Sequence, residues 1–143
     1  MAFKWLSDLQ AQASSQWSKF NNSTFKNAAM ATCALIAAAD GEIEKEEKSK
    51  VARLIASNDM LQVFGAAELR DLFLSYADKA GDEFTRIDLI NLVRKLKGNE
   101  EQSTTCLKIA LIIANADGDY EPSEKKVVEE LCKTLGIPTA DYV

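Results

Sequence analysis

Histidine is absent from this chain of 143 residues. That removes the commonest general base at neutral pH and the usual nitrogen ligand of zinc. Cysteine is scarce: Cys33, Cys106 and Cys132 make an odd count, with no Cys-x-x-Cys spacing. Both facts argue against a disulfide framework or a thiolate zinc site. Cys33 and Cys132 sit among apolar neighbours and read as small core residues. Only two prolines and six glycines interrupt the chain, so long helices are expected. The longest uncharged run, Asn27 to Ala39, is about thirteen residues, whereas a membrane span needs roughly 20. The first residues, Met-Ala-Phe-Lys-Trp-Leu-Ser-Asp, lack the apolar run of a secretory leader. A reducing, cytoplasmic setting is the expectation.

Clustered basic residues are missing too. The net charge is −5, which speaks against a general nucleic-acid binder. The acidity is local. Residues 40–50 hold five acids against three bases, and residues 117–126 hold four against two, so these stretches carry four of the five net negative charges.

The two stretches are copies. Ala-Ala-Ala-Asp-Gly-Glu-Ile-Glu-Lys-Glu-Glu-Lys at 37–48 aligns without a gap on Ala-Asn-Ala-Asp-Gly-Asp-Tyr-Glu-Pro-Ser-Glu-Lys at 114–125, seven of twelve positions being identical. The offset is 77 residues, and it continues through Val51/Val128 and Leu54/Leu131. Such internal similarity predicts a repeated helix–turn–helix unit, at about 28–56 and again at 105–133.

Helical periodicity fills most of the rest. Residues 3–20 carry Phe3, Leu6, Leu9, Ala13, Trp17 and Phe20 as an amphipathic stripe. That stripe either packs on the domain or leans on a membrane or partner, although Lys4 and Lys19 are few bases for a lipid-surface helix. Asn21 to Thr24 supply cap residues for an alanine-rich central helix over 25–39. Further helices are expected at 45–56, 66–79, 83–97, 100–116 and 122–135, with a short apolar turn at 60–64. In the 83–97 helix, Phe84, Ile87, Ile90, Val93 and Leu96 fall at helical spacing, with Leu89 and Leu92 widening the stripe, and the helix is expected to add to the core. Pro122 suits a first helical position, and Gly136 followed by Pro138 suits a helix end. No segment alternates with period two. The expected fold is therefore all-α: a compact bundle of about seven helices, with an N-terminal helix in 1–22 and a single helical domain over 23–143.

Two chemistries fit the repeated turn. Asp40 and Asp117 each stand at the C-terminal end of a helix, where a carboxylate is disfavoured by roughly 0.3–1 kcal/mol. Glu47 and Glu124, by contrast, fall at the third position of the following helix, and Glu44 and Glu121 at its cap, where acids belong. In one reading the turns are structural punctuation, with Asp40 bonding the amides of its own turn. In the other they hold a hard cation. Asp-Gly-x-Ile-x-x-x-Glu resembles the second half of an EF-hand loop, but the first two ligand positions would be Ile36 and Ala38, which have no ligating side chain. If the turns converge, Asp40, Glu47, Asp117 and Glu124 face one cavity. Two like charges about 4 Å apart cost roughly 4 kcal/mol at a surface-like dielectric, so such a cluster wants a cation. All-oxygen ligands favour calcium, magnesium or manganese. No Gly-rich phosphate loop and no activated nucleophile is present, so a non-enzymatic role is expected.

The turns and their surroundings resemble the tellurite-resistance protein TerB family. The likeness runs through Cys-Ala-Leu-Ile-Ala-Ala-Ala-Asp-Gly-Glu-Ile-Glu-Lys-Glu-Glu-Lys at 33–48, Leu-Gln-Val-Phe at 61–64, Ala-Asp-Gly-Asp-Tyr at 116–120 and the late Leu-Gly-Ile-Pro. It implies an all-helical cytoplasmic protein of tellurite and stress resistance. The family's acidic turns are proposed to chelate metal and match Asp40, Glu47, Asp117 and Glu124, with Glu44 and Glu121 in support. The resemblance also implies other tellurite-resistance proteins as partners, including a membrane-bound Ter partner, which would hold the protein peripherally at the inner membrane face.

Overall fold

A computed structural model describes residues 22–39, 43, 45–57, 65–114 and 121–140. Six helices run through them: α1 (Ser23–Ala37), α2 (Lys45–Ser57), α3 (Ala66–Ala80), α4 (Glu83–Arg94), α5 (Glu100–Ala114) and α6 (Pro122–Leu135). There is no strand among the described residues. The helix expected over 3–20 and the apolar turn at 60–64 lie outside the described residues.

The alanine-rich segment becomes the axis of the bundle. Asn22 caps α1, its side chain accepting the Phe25 amide at 2.8 Å, as expected for an N-cap asparagine. Every residue from Ala28 to Ile36 is then buried. A helix buried on all sides must have neighbours on all sides. Indeed α1 packs against α3, α4, α5 and α6, while α2 lies against α3 and α5. Small side chains (Ala28, Ala29, Ala31, Ala34) make this close approach sterically feasible. Phe25, Met30, Leu35 and Ile36 fill the space between helices, together with Phe73 of α3, Leu89 of α4, Leu107 of α5 and Leu131 of α6.

The helices α3 and α4 form a hairpin through Gly81 and Asp82. Asp82 accepts the Phe84 amide at 2.9 Å, and the Thr85 hydroxyl donates to the Lys79 carbonyl at 2.8 Å. These bonds satisfy groups that helix ends otherwise leave open.

The second helix of this hairpin departs from expectation twice. It stops at Arg94 rather than at 97, giving way to tight turns in which Leu96 N–H bonds Val93 C=O at 3.0 Å and Lys97 N–H bonds Arg94 C=O at 2.9 Å. The buried Ser103 hydroxyl donates to the Leu96 carbonyl at 2.8 Å, and Gly98 turns the chain with φ 95°. Its apolar stripe is also not one face. Leu89, Val93 and Leu96 are buried, but Phe84 is 84% exposed and Ile87 57% exposed. At about 100° per residue, Phe84 and Ile87 stand roughly 140° and 160° around the helix from Leu89. They share spacing with the core residues without sharing their side.

Helix α6 meets its sequence cues. Pro122 opens it, Val127, Val128, Leu131, Cys132 and Leu135 are buried, and Gly136 ends it in the left-handed region at φ 73°. The Ile137 amide returns to the Cys132 carbonyl at 3.0 Å, the closure a left-handed cap provides.

The helix bounds keep one spacing. Glu100 follows Ser23 by 77 residues, Ala114 follows Ala37 by 77, and Pro122 follows Lys45 by 77.

Candidate functional site

The first acidic turn leaves the axis of the bundle. At the end of α1 the Ala38 amide bonds the Ala34 carbonyl at 3.0 Å and the Ala39 amide bonds the Ile36 carbonyl at 3.1 Å. Ile36 is helical and fully buried, so the position that would open an EF-hand loop belongs to the core. Asp40, Gly41, Glu42 and Glu44 lie outside the described residues. Between them Ile43 is buried, 6% exposed, and belongs to the core. Glu47 is the third residue of α2, and its side chain lies outside the description. The next residue, Lys48, reaches Asp78 of α3 at 2.7 Å.

The second turn enters α6. Asp117 lies outside the described residues, but the helix start is complete. Glu121 is the N-cap, and a capping box joins it to Glu124 at the third position. The Glu124 carboxylate accepts the Glu121 amide at 2.8 Å. Of the four candidate ligands, Glu124 is therefore the one whose side chain has a described partner, and that partner is a helix end.

A cleft lies where the end of α1 meets α6. It has a volume of about 690 Å³ and is lined by Ala39, at the end of α1, and by Pro122, Ser123, Lys126, Val127, Glu129, Glu130, Lys133 and Thr134 of α6. Ala39 immediately precedes Asp40, and Pro122 begins the helix that the second turn feeds. The segments flanking the two turns thus share one recess. Its rim carries both signs, and one acid is committed: Glu130 forms a two-pronged ion pair with Arg86 of α4. Among the described residues no group of three or more His, Cys, Asp or Glu side chains is suited to hold a metal.

The polar residues of this cleft escaped the sequence reading. Ser123, Lys126, Glu130 and Lys133 recur at helical spacing on α6, which is also how any solvated helix face reads. No residue type among them marked a recess.

The thiols are all buried. Burial raises the Cys33 thiol well above its usual range, with neighbouring Cys106 adding to the effect. Burial also pushes Cys106 up to about 12, partly offset by a hydrogen bond with Thr32, whose hydroxyl lies 3.4 Å from the sulfur. Burial and then Glu129 bring Cys132 to about 11. Protonated at neutral pH, none has the thiolate character of a reactive cysteine. Among the described residues, no helix is long and apolar enough to cross a membrane.

A family model described as tellurite resistance protein TerB matches residues 26–143. No curated protein and no solved structure matches the chain.

Proposed function

The chain belongs to the tellurite resistance protein TerB family, and from that membership we propose that it works as a divalent-cation-binding interaction module in a tellurite- and stress-resistance assembly. The cation is calcium, magnesium or manganese, held between the two acidic turns by Asp40 and Asp117, with Glu47 and Glu124 in support. The role is non-enzymatic and cytoplasmic. Other tellurite-resistance proteins are the partners, and a membrane-bound one draws the protein to the inner membrane face.

The observation that carries this reading is the shared cleft. Ala39 and Pro122, each beside one acidic turn, line the same recess. Supporting it is the spacing of 77 residues that α1 and α5 keep at both ends, and α2 and α6 at their starts, as a duplicated helix–turn–helix unit would. Acidic turns that share one edge repel each other unless a cation intervenes. In the sequence Asp40 and Asp117 follow helix C-termini, where an acid has no capping role, so local helix chemistry does not account for them.

A second reading makes the chain an interaction scaffold whose acidic turns only cap helices. The capping box between Glu121 and Glu124 favours it. Thermal melting with added calcium or manganese separates the two. An ion at 100 times its Kd adds about 2.7 kcal/mol of stability, a rise in Tm on the order of 9 °C for a chain of this size. The cation reading expects that rise in the native chain and its loss when Asp40→Asn and Asp117→Asn are combined. An unchanged Tm at millimolar ion supports the scaffold.

A further inference from the structure

The start of α4 presents an apolar pair that the bundle does not use. Phe84 is 84% exposed and Ile87 57% exposed, one turn apart on the same side of the helix. The helix start that carries them is tied down. Asp82 caps the Phe84 amide at 2.9 Å, Thr85 bonds back to the Lys79 carbonyl at 2.8 Å, and Arg86 is paired to Glu130 of α6. With the backbone already fixed, docking has only side-chain rotamers left to order there, which limits its entropic cost. Their surroundings are acidic: Asp82, Glu83 and Asp88 are all exposed, while the charge of Arg86 is already met by Glu130.

We infer that Phe84 and Ile87, framed by Asp82, Glu83 and Asp88, form a docking surface for a basic amphipathic helix of a partner protein. The charges choose among occupants. A second copy would set these acids against their own images, and an anionic lipid surface would meet the same repulsion. A helix with apolar anchors three or four residues apart, flanked by Lys or Arg, satisfies both features at once. None of its five residues lines the cation cleft, although Arg86 beside them pairs with Glu130 at the rim of that cleft.

The test uses the full chain and a fluorescein-labelled eighteen-residue helix of leucine and lysine with one apolar stripe. Its leucine–glutamate counterpart is the control. Fluorescence anisotropy should report binding of the lysine helix, weakened by added salt, and none of the glutamate helix. Combining Phe84→Ser with Ile87→Ser should weaken binding at least about tenfold, as loss of a true anchor does, with the melting temperature kept. Combining Glu83→Gln with Asp88→Asn should also weaken it, whereas Glu100→Gln with Glu101→Gln, exposed acids at the start of α5, should not. Absence of binding, or binding untouched by the serine pair, overturns the proposal. So does sedimentation showing a dimer, or pelleting with anionic vesicles, that the serine pair abolishes, since the occupant is then a second copy or a lipid surface.

Discussion

The Glu124 carboxylate accepts the backbone amide of Glu121 across the first turn of α6, at 2.8 Å. Glu124 is thus a helix-start residue whatever else it does. Glu124→Ala should cost about 1 kcal/mol, the usual penalty for removing a cap. Glu124→Gln keeps an acceptor at the same place and should cost much less. Urea titration of the two variants measures the difference. Equal losses would show that the negative charge, not the cap, stabilises this helix.

Ser103 ties the abrupt end of α4 to the start of α5 through the Leu96 carbonyl. Both residues are buried, and the Leu96 carbonyl also accepts the Asn99 amide at 3.0 Å, so Ser103→Ala removes one of two bonds to it, at a cost of about 0.5–1.5 kcal/mol. A denaturant midpoint unchanged from the native protein would contradict the account of why α4 stops at Arg94.

That early stop marks how far sequence could be read. The helix starts at Lys45, Ala66, Glu83, Glu100 and Pro122, and the end of α6 at Leu135, follow directly from caps, glycines and proline. At α1 the expected bounds of 25–39 moved to Ser23–Ala37, because Asn22 rather than a later residue is the cap and Ala38 and Ala39 peel away in a turn. Periodicity misled at Phe84 and Ile87. Apolar residues every three or four positions drift around a helix, and such a run names no single buried side. In the candidate site, the capping roles of Glu121 and Glu124 were legible because they are local. The cleft was not, since it depends on where the end of α1 meets α6, a relation between residues more than 80 positions apart.

The thiols set an alkaline limit. Cys106 carries a folded pKa of about 12 and Cys132 about 11, against an ordinary value of 9.0. Because these values are raised, the stabilisation is fully present below pH 9 and is lost as pH climbs from there to the folded values, the window in which only the unfolded chain releases the proton. Each such thiol should lower stability by about 1.4 kcal/mol per pH unit in that window. Melting curves from pH 8 to 10.5 should fall less steeply for Cys106→Ala than for the native chain. Parallel slopes would show that Cys106 does not titrate this way.

The left-handed Gly136 ends α6 with φ 73°. A side chain there is strained, so Gly136→Ala should destabilise by about 1 kcal/mol, read from the denaturant midpoint. No change would indicate that the helix end relaxes into another cap.

The central claim is that one cation joins the two acidic turns, and calorimetric titration of calcium or manganese into the full chain tests it most directly. The account predicts one ion per chain, with binding abolished by Asp40→Asn alone and equally by Asp117→Asn alone. Two independent ions, binding that survives both substitutions together, or no heat of binding at millimolar ion would contradict it.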